Sequence, residues 1–185
     1  MPERGHYERD AVYAILDAGF ICHVGYAIGG KPYVTPTAYW REGDAVYWHG
    51  SSKSRMLMTL GKGADCCLTV THLDGLVIAR SGFHHSINYR SVMLFGKACK
   101  LEDPEEKLAK LEAFIERLYP GRWNTLRPVN RRELKATTVL GMQIDEASAK
   151  IRSGPPVDDE ADYALPIWAG VVPVRRVAGA PQDDG

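Results

Sequence analysis

Phe20-Ile21-Cys22-His23-Val24-Gly25-Tyr26-Ala27-Ile28, then Gly29-Gly30, then Lys31-Pro32-Tyr33-Val34-Thr35-Pro36-Thr37-Ala38-Tyr39-Trp40 is the stretch that decides the fold class. Two runs rich in β-branched and aromatic residues meet at a Gly-Gly pair, so they read as a β-hairpin. Pro36 has no amide hydrogen to give to a ladder and marks a bulge or an edge. Gly43-Asp44 then turns the chain into Val46-Tyr47-Trp48-His49, with Val46 and Trp48 on one side and Tyr47 and His49 on the other, which makes a three-stranded meander.

Working outward, Asp10 to Gly19 carries Val12, Ile15, Leu16 and Ala18 at helical spacing, with Asp10 as a cap and Gly19 as a stop. Downstream, a short helix is expected over Ser52 to Leu60. It is followed by a strand over Ala64 to His72, a hairpin at Asp74-Gly75, a strand over Leu76 to Arg80 and a long strand over Tyr89 to Leu101. Six strands at hairpin spacing, with one short helix inserted, predict a mainly β fold with flanking helices, an antiparallel barrel.

Asp103-Pro104-Glu105-Glu106 starts a helix, and Leu108, Leu111, Phe114, Ile115 and Leu118 give it one apolar face suited to covering an open side of the barrel. A short helix over Asn130 to Thr137 and a closing strand over Val139 to Asp145 follow. After Ser153 prolines and acids dominate until Leu165 to Val174, an apolar patch containing Trp168 that is expected to return to the body or to a partner subunit. The chain, residues 1–185, therefore reads as a single domain, with its core over about 10–152, a C-terminal segment over 153–175 packing back and a disordered final ten residues.

Hydrophobic residues make up 45% and charged residues 25% of the 185, which argues against disorder, and the formal net charge of zero gives no broad surface for nucleic acid or membrane. No apolar run approaches the roughly 20 residues that span a bilayer, and the first residues lead into no signal-peptide core, so a cytoplasmic protein is expected. Cys22, Cys66, Cys67 and Cys99 match no zinc spacing and read as reduced packing residues, and no metal site is expected.

With no net charge to draw on, any anion must be met by local cations. Gly50-Ser51-Ser52-Lys53-Ser54-Arg55 supplies them, placing hydroxyls and two cations at the start of a helix, where unpaired amides and the helix dipole favour a dianionic phosphate. A capped surface helix with solvated cations is the alternative. Ser86-Ile87-Asn88-Tyr89-Arg90-Ser91 gathers amide, phenol, guanidinium and hydroxyl groups that suit a polar, ligand-facing turn. His49 is a weak candidate for a catalytic group, and no nucleophile elbow, Walker loop or dinucleotide fingerprint is present.

Three motifs in register, His49-Gly50-Ser51 with Ser54-Arg55-Met56-Leu57, Ser86 to Gly96, and Ile167 to Pro173, resemble the pyridoxamine 5'-phosphate oxidase-like FMN-binding split barrels, in the branch that includes nitroimidazole-resistance proteins. The likeness runs over roughly residues 10–175. It implies a six-stranded antiparallel split β-barrel that forms a homodimer with FMN in grooves between the subunits. It implies that Ser51, Ser54 and Arg55, with Gly50 and Lys53 beside them, hold the FMN phosphate, and that Thr37 and His49 lie near the ring or ribityl chain. Asn88, Tyr89, Arg90 and Ser91 would complete the pocket and Trp168 would cover the flavin. The end of the chain, Trp168 to Arg176, lacks the oxidase's Arg-rich motif, which argues against pyridoxamine phosphate as substrate. The function implied is an FMN-dependent oxidoreductase that passes electrons from NADH or NADPH to a small electrophile, with a non-enzymatic FMN- or haem-binding module as the alternative and a deazaflavin as a third cofactor.

Overall fold

The structure, a computed structural model, describes residues 5–183. Fourteen elements follow one another as β1 (Gly5–His6), α1 (Arg9–Asp17), β2 (Ile21–Ile28), β3 (Lys31–Glu42), β4 (Ala45–Ser51), α2 (Arg55–Leu60), β5 (Asp65–Ile78), β6 (Ser86–Lys97), β7 (Cys99–Lys100), α3 (Pro104–Leu118), α4 (Arg131–Ala136), β8 (Thr137–Gln143), β9 (Glu146–Arg152) and β10 (Gly170–Pro173). Every ladder is antiparallel, and the strand order is β1-β9-β6-β5-β2-β3-β4-β8-β7, with β10 added to β5.

The predicted split barrel is present, but with ten strands among the described residues rather than six. Its split lies in β3, whose first part pairs with β2 from Lys31 to Ala38, while the stretch from Tyr39 to Glu42 pairs with β4. Pro36 faces His23 of β2 and precedes the β4 ladder, so it sits on an edge, where a missing amide hydrogen leaves no gap in pairing.

The hairpin expected at Asp74-Gly75 is not there. β5 runs straight through, with a register shift opposite β6 between Leu73 and Gly75. A Cβ at Gly75 would stand 2.9 Å from Val171 Cγ1, so this glycine gives close approach to β10 and not a turn. The chain reverses later, at a 3-10 turn over Gly82–His84, and β6 starts at Ser86. The long strand expected to reach Leu101 ends at Lys97, and Cys99–Lys100 leave it to pair with β8. β9 was not anticipated because Glu146 to Arg152 carries small and charged residues, and its place is set by pairing with β6.

One apolar core fills the barrel, with Val12, Ile15 and Leu16 of α1 packed on Val24, Trp48, Leu68, Leu94 and Leu140. A second lies outside β4 and β8, where Trp40, Leu101 and Val139 receive Phe114 of α3. Asp103 caps α3 through the amides of Glu105 and Glu106, and burial of Phe114 against Trp40 is worth about 1.5–3 kcal/mol. The C-terminal segment meets the body at two points. Asp158, buried, accepts hydrogen bonds from the backbone amide and Nη1 of Arg80 at 2.9 and 3.1 Å, and β10 then pairs with the end of β5. Among the described residues no helix is long and apolar enough to cross a membrane.

Candidate functional site

The alternation along β4 sends Val46 and Trp48 into the barrel core and Tyr47 and His49 to the opposite face, under α3. After Gly50 the chain makes a tight turn in which the Ser54 amide donates to the Ser51 carbonyl at 2.8 Å and the Lys53 amide to Ser51 Oγ at 3.2 Å. Ser54 caps α2, its Oγ accepting from the Leu57 amide at 3.5 Å. Met56, Leu57 and Leu60 anchor the helix in the core, and a Cβ on Gly50 would stand only 3.1 Å from Leu57 Cδ1. Glycine at this position leaves the Leu57 side chain room against β4.

Both serine oxygens accept backbone hydrogen bonds, which leaves their own protons free to donate outward. The exposed Lys53 and Arg55 have no carboxylate partner among the described residues. The Arg55 guanidinium lies instead over the ring of Tyr33, 4.5 Å from its centroid. Tyr33, Thr35 and Thr37 share one face of β3 by the two-residue period, and Tyr33 stacks on Tyr26 at 5.6 Å. The result is an exposed turn whose two cations meet no carboxylate among the described residues and whose serine protons are free, donor chemistry that suits an anion. Tyr33 is the member the sequence reading missed, and its place two and four residues before Thr35 and Thr37 is the signal that could have found it.

His49 does not join that group. Its ring stands 5.9 Å from Trp40 and 4.7 Å from Phe114, on the face of β3 and β4 opposite to Thr37. It lines a cavity of about 270 Å³ with Leu111, Phe114, Trp123 and Leu126. Its Nδ1 is buried without a hydrogen-bond partner, and burial lowers the imidazole pKa from 6.5.

The third group is elsewhere again. β6 lies three strand spacings, roughly 14 Å, from β3 within the protomer. There the Asn88 amide donates to the Gly154 carbonyl at 3.0 Å while its oxygen accepts from Arg152. Both arms of Arg90 donate to Asp74, at 2.8 and 2.9 Å, which holds the Asp74 carboxyl below its usual range and neutralises the guanidinium. Ser91 Oγ donates to the Lys150 carbonyl at 3.5 Å, and Tyr89 makes no side-chain hydrogen bond among the described residues. Trp168, placed by β10, is 65% exposed. Among the described residues no cluster of His, Cys, Asp and Glu could hold a metal ion.

A family model described as pyridoxamine 5'-phosphate oxidase matches residues 8–151. Among solved structures, the flavocytochrome Anf3 from Azotobacter vinelandii is 51% identical, with 98% of this chain and 85% of that one covered and a TM-score of 0.94. The FAD and heme binding protein from Mycobacterium smegmatis is 37% identical, over 97% and 88%, with a TM-score of 0.93. A candidate 5-nitroimidazole antibiotic resistance protein from Bacteroides thetaiotaomicron is similar in fold, at 21% identity over 80% and 86% with a TM-score of 0.67. No curated protein matches the chain.

Proposed function

The chain belongs to the pyridoxamine 5'-phosphate oxidase family, whose model covers residues 8–151, and from that premise we propose that it is a flavin-dependent oxidoreductase holding FMN, alone or as part of FAD, by its phosphate. The observation that carries the reading is the pair of uncompensated cations, Lys53 and Arg55, beside the free hydroxyl protons of Ser51 and Ser54. Flavin-binding relatives at 51% and 37% identity support it.

The flavin, when bound, supplies the electron transfer, and the protein supplies anchoring, orientation and a shaped pocket. Gly50 keeps the Ser51–Ser54 turn tight against β4, and Tyr33 orients Arg55 without neutralising it. Thr37, on the Tyr33 face of β3, would meet the sugar chain or ring in this reading. With the electron transfer supplied by the flavin, no side-chain acid and base pair is required.

A homodimer would bring a partner's β6 and Trp168 to the cradle that this chain's own β6 does not reach. The outward face of the sheet supports it. Val34, Gly25, Cys67, Phe95 and Glu146 form one row across five strands, and Pro36, His23, Thr69, Met93 and Ser148 the next. Val34, Met93 and Phe95 are large apolar groups left in water.

A second reading rests on His49. A half-buried imidazole with an unmatched buried nitrogen, facing an aromatic and aliphatic cavity, has the donor chemistry of a haem ligand, and one relative is named an FAD and heme binding protein and another a flavocytochrome. A visible spectrum of the purified protein tests both. Flavin bands bleached by NADH or NADPH and restored by a quinone or nitroaromatic acceptor are expected. Flavin bands inert to both nicotinamides would favour a binding module, and a colourless protein that takes up no added flavin would overturn the proposal.

A further inference from the structure

Ser52 of the Ser51–Ser54 turn also lines an open cavity of about 500 Å³. Lys62 from the loop after α2, Lys100 of β7, Lys107 of α3 and Lys135 of α4 converge on it from four parts of the chain. One carboxylate accompanies them, Glu102, and it is engaged by Lys100 at 2.8 and 2.9 Å. Lys62, Lys107 and Lys135 have no ion pair among the described residues. The cavity therefore carries four lysines against one carboxylate, a local excess of positive charge in a chain of zero formal net charge. Burial, then the neighbouring charge of Lys100, lowers the Lys107 pKa, and the Glu102 carboxylate offsets part of that.

The rest of the lining is as specific. Ser52, Thr137 and Thr138 offer hydroxyls, while Leu57, Leu101 and the half-exposed Met58 offer an apolar strip. Ser52 is shared with the cradle turn, and its amide donates to the Ala136 carbonyl at 2.7 Å, tying the turn to the end of α4.

We propose that this lysine-lined cavity binds a nucleoside diphosphate moiety, the ADP end of a dinucleotide, with the lysines on the diphosphate, the hydroxyls on the ribose and Met58 against the purine. It deepens the flavin reading, because the ADP end could belong to the flavin as FAD or to the nicotinamide donor. The chemistry is the same in both.

Calorimetric titration of ADP into the purified protein tests it. Binding should weaken steeply with added salt, and by about tenfold or more in the double variant Lys107→Gln/Lys135→Gln, with Lys97→Gln as an unaffected control. These lysines lie at the surface, and an unchanged melting curve shows that the variant folds. No ADP binding at millimolar concentration, or equal affinity in wild type and double variant, would overturn the proposal. Displacement of ADP by FAD but not by FMN assigns the moiety to the flavin, and displacement by NADPH from flavin-saturated protein assigns it to the donor. Displacement by neither also overturns it. Failure of the phosphate cradle would show in FMN binding and leave ADP binding untouched, so the two results separate.

Discussion

The Arg55 guanidinium lies 4.5 Å from the centroid of the Tyr33 ring, with no carboxylate beside it among the described residues, while Arg9, Arg41, Arg80, Arg90 and Arg127 each meet an acid. Stacking on an aromatic face fixes the fork and leaves its charge available. Arg55→Ala should therefore weaken flavin binding by about 1.5–3 kcal/mol, the worth of a hydrogen bond to a charged group. Because Arg55 is exposed, its melting temperature without flavin should stay within a degree or so of wild type.

His49 predicts a pH dependence. Its folded pKa is lowered by burial, so the unfolded chain binds the proton more readily. Stability is then fully present above 6.5, the ordinary value, and is lost as pH falls from there towards the folded pKa. His49→Phe should remove that slope in urea melts at stepped pH. It should also stabilise the ligand-free protein, since an unsatisfied buried nitrogen costs about 1–3 kcal/mol. If haem binds here, the same variant abolishes the Soret band on haem titration.

Met93→Glu places a charge between Thr69 and Ser148 on the outward sheet face. Sedimentation should show a dimer for wild type and a monomer for the variant, with the same circular dichroism. A variant that stays dimeric would move the interface elsewhere.

Asp158 pins the C-terminal segment to the end of β5. Against burial, which raises its pKa, hydrogen bonds from the Arg80 amide and guanidinium hold the carboxyl below its usual range. Its contribution is present above the unfolded carboxylate pKa and is lost as pH falls through the folded one. Asp158→Asn should make residues 153–175 the first site of proteolytic cutting at neutral pH, and wild type should gain the same sensitivity in acid.

Residue periodicity in the sequence reached the meander, the Pro36 edge and the start of α3 at Asp103, because each is set by neighbours in the chain, but it began α2 at Ser52 where the chain first turns and the helix starts at Arg55. It missed what tertiary contact decides. Asp74-Gly75 has the composition of a turn, yet Gly75 is there to admit Val171 of β10. β9 has no strand-like pattern and is held by β6. His49 and Thr37 lie close in sequence on adjoining strands, but the alternation of side chains puts them on opposite faces. Arg90 looked free until Asp74 came beside it across a bulge.

The central claim is that the phosphate of a flavin is what the Ser51–Arg55 turn recognises, and riboflavin tests it because it carries the ring and ribityl chain without that group. Titrations of FMN and riboflavin into wild type and Arg55→Ala should show FMN bound about 100-fold tighter or more in wild type, and most of that gap gone in the variant. An FMN-to-riboflavin gap of the same size in both proteins would contradict the account.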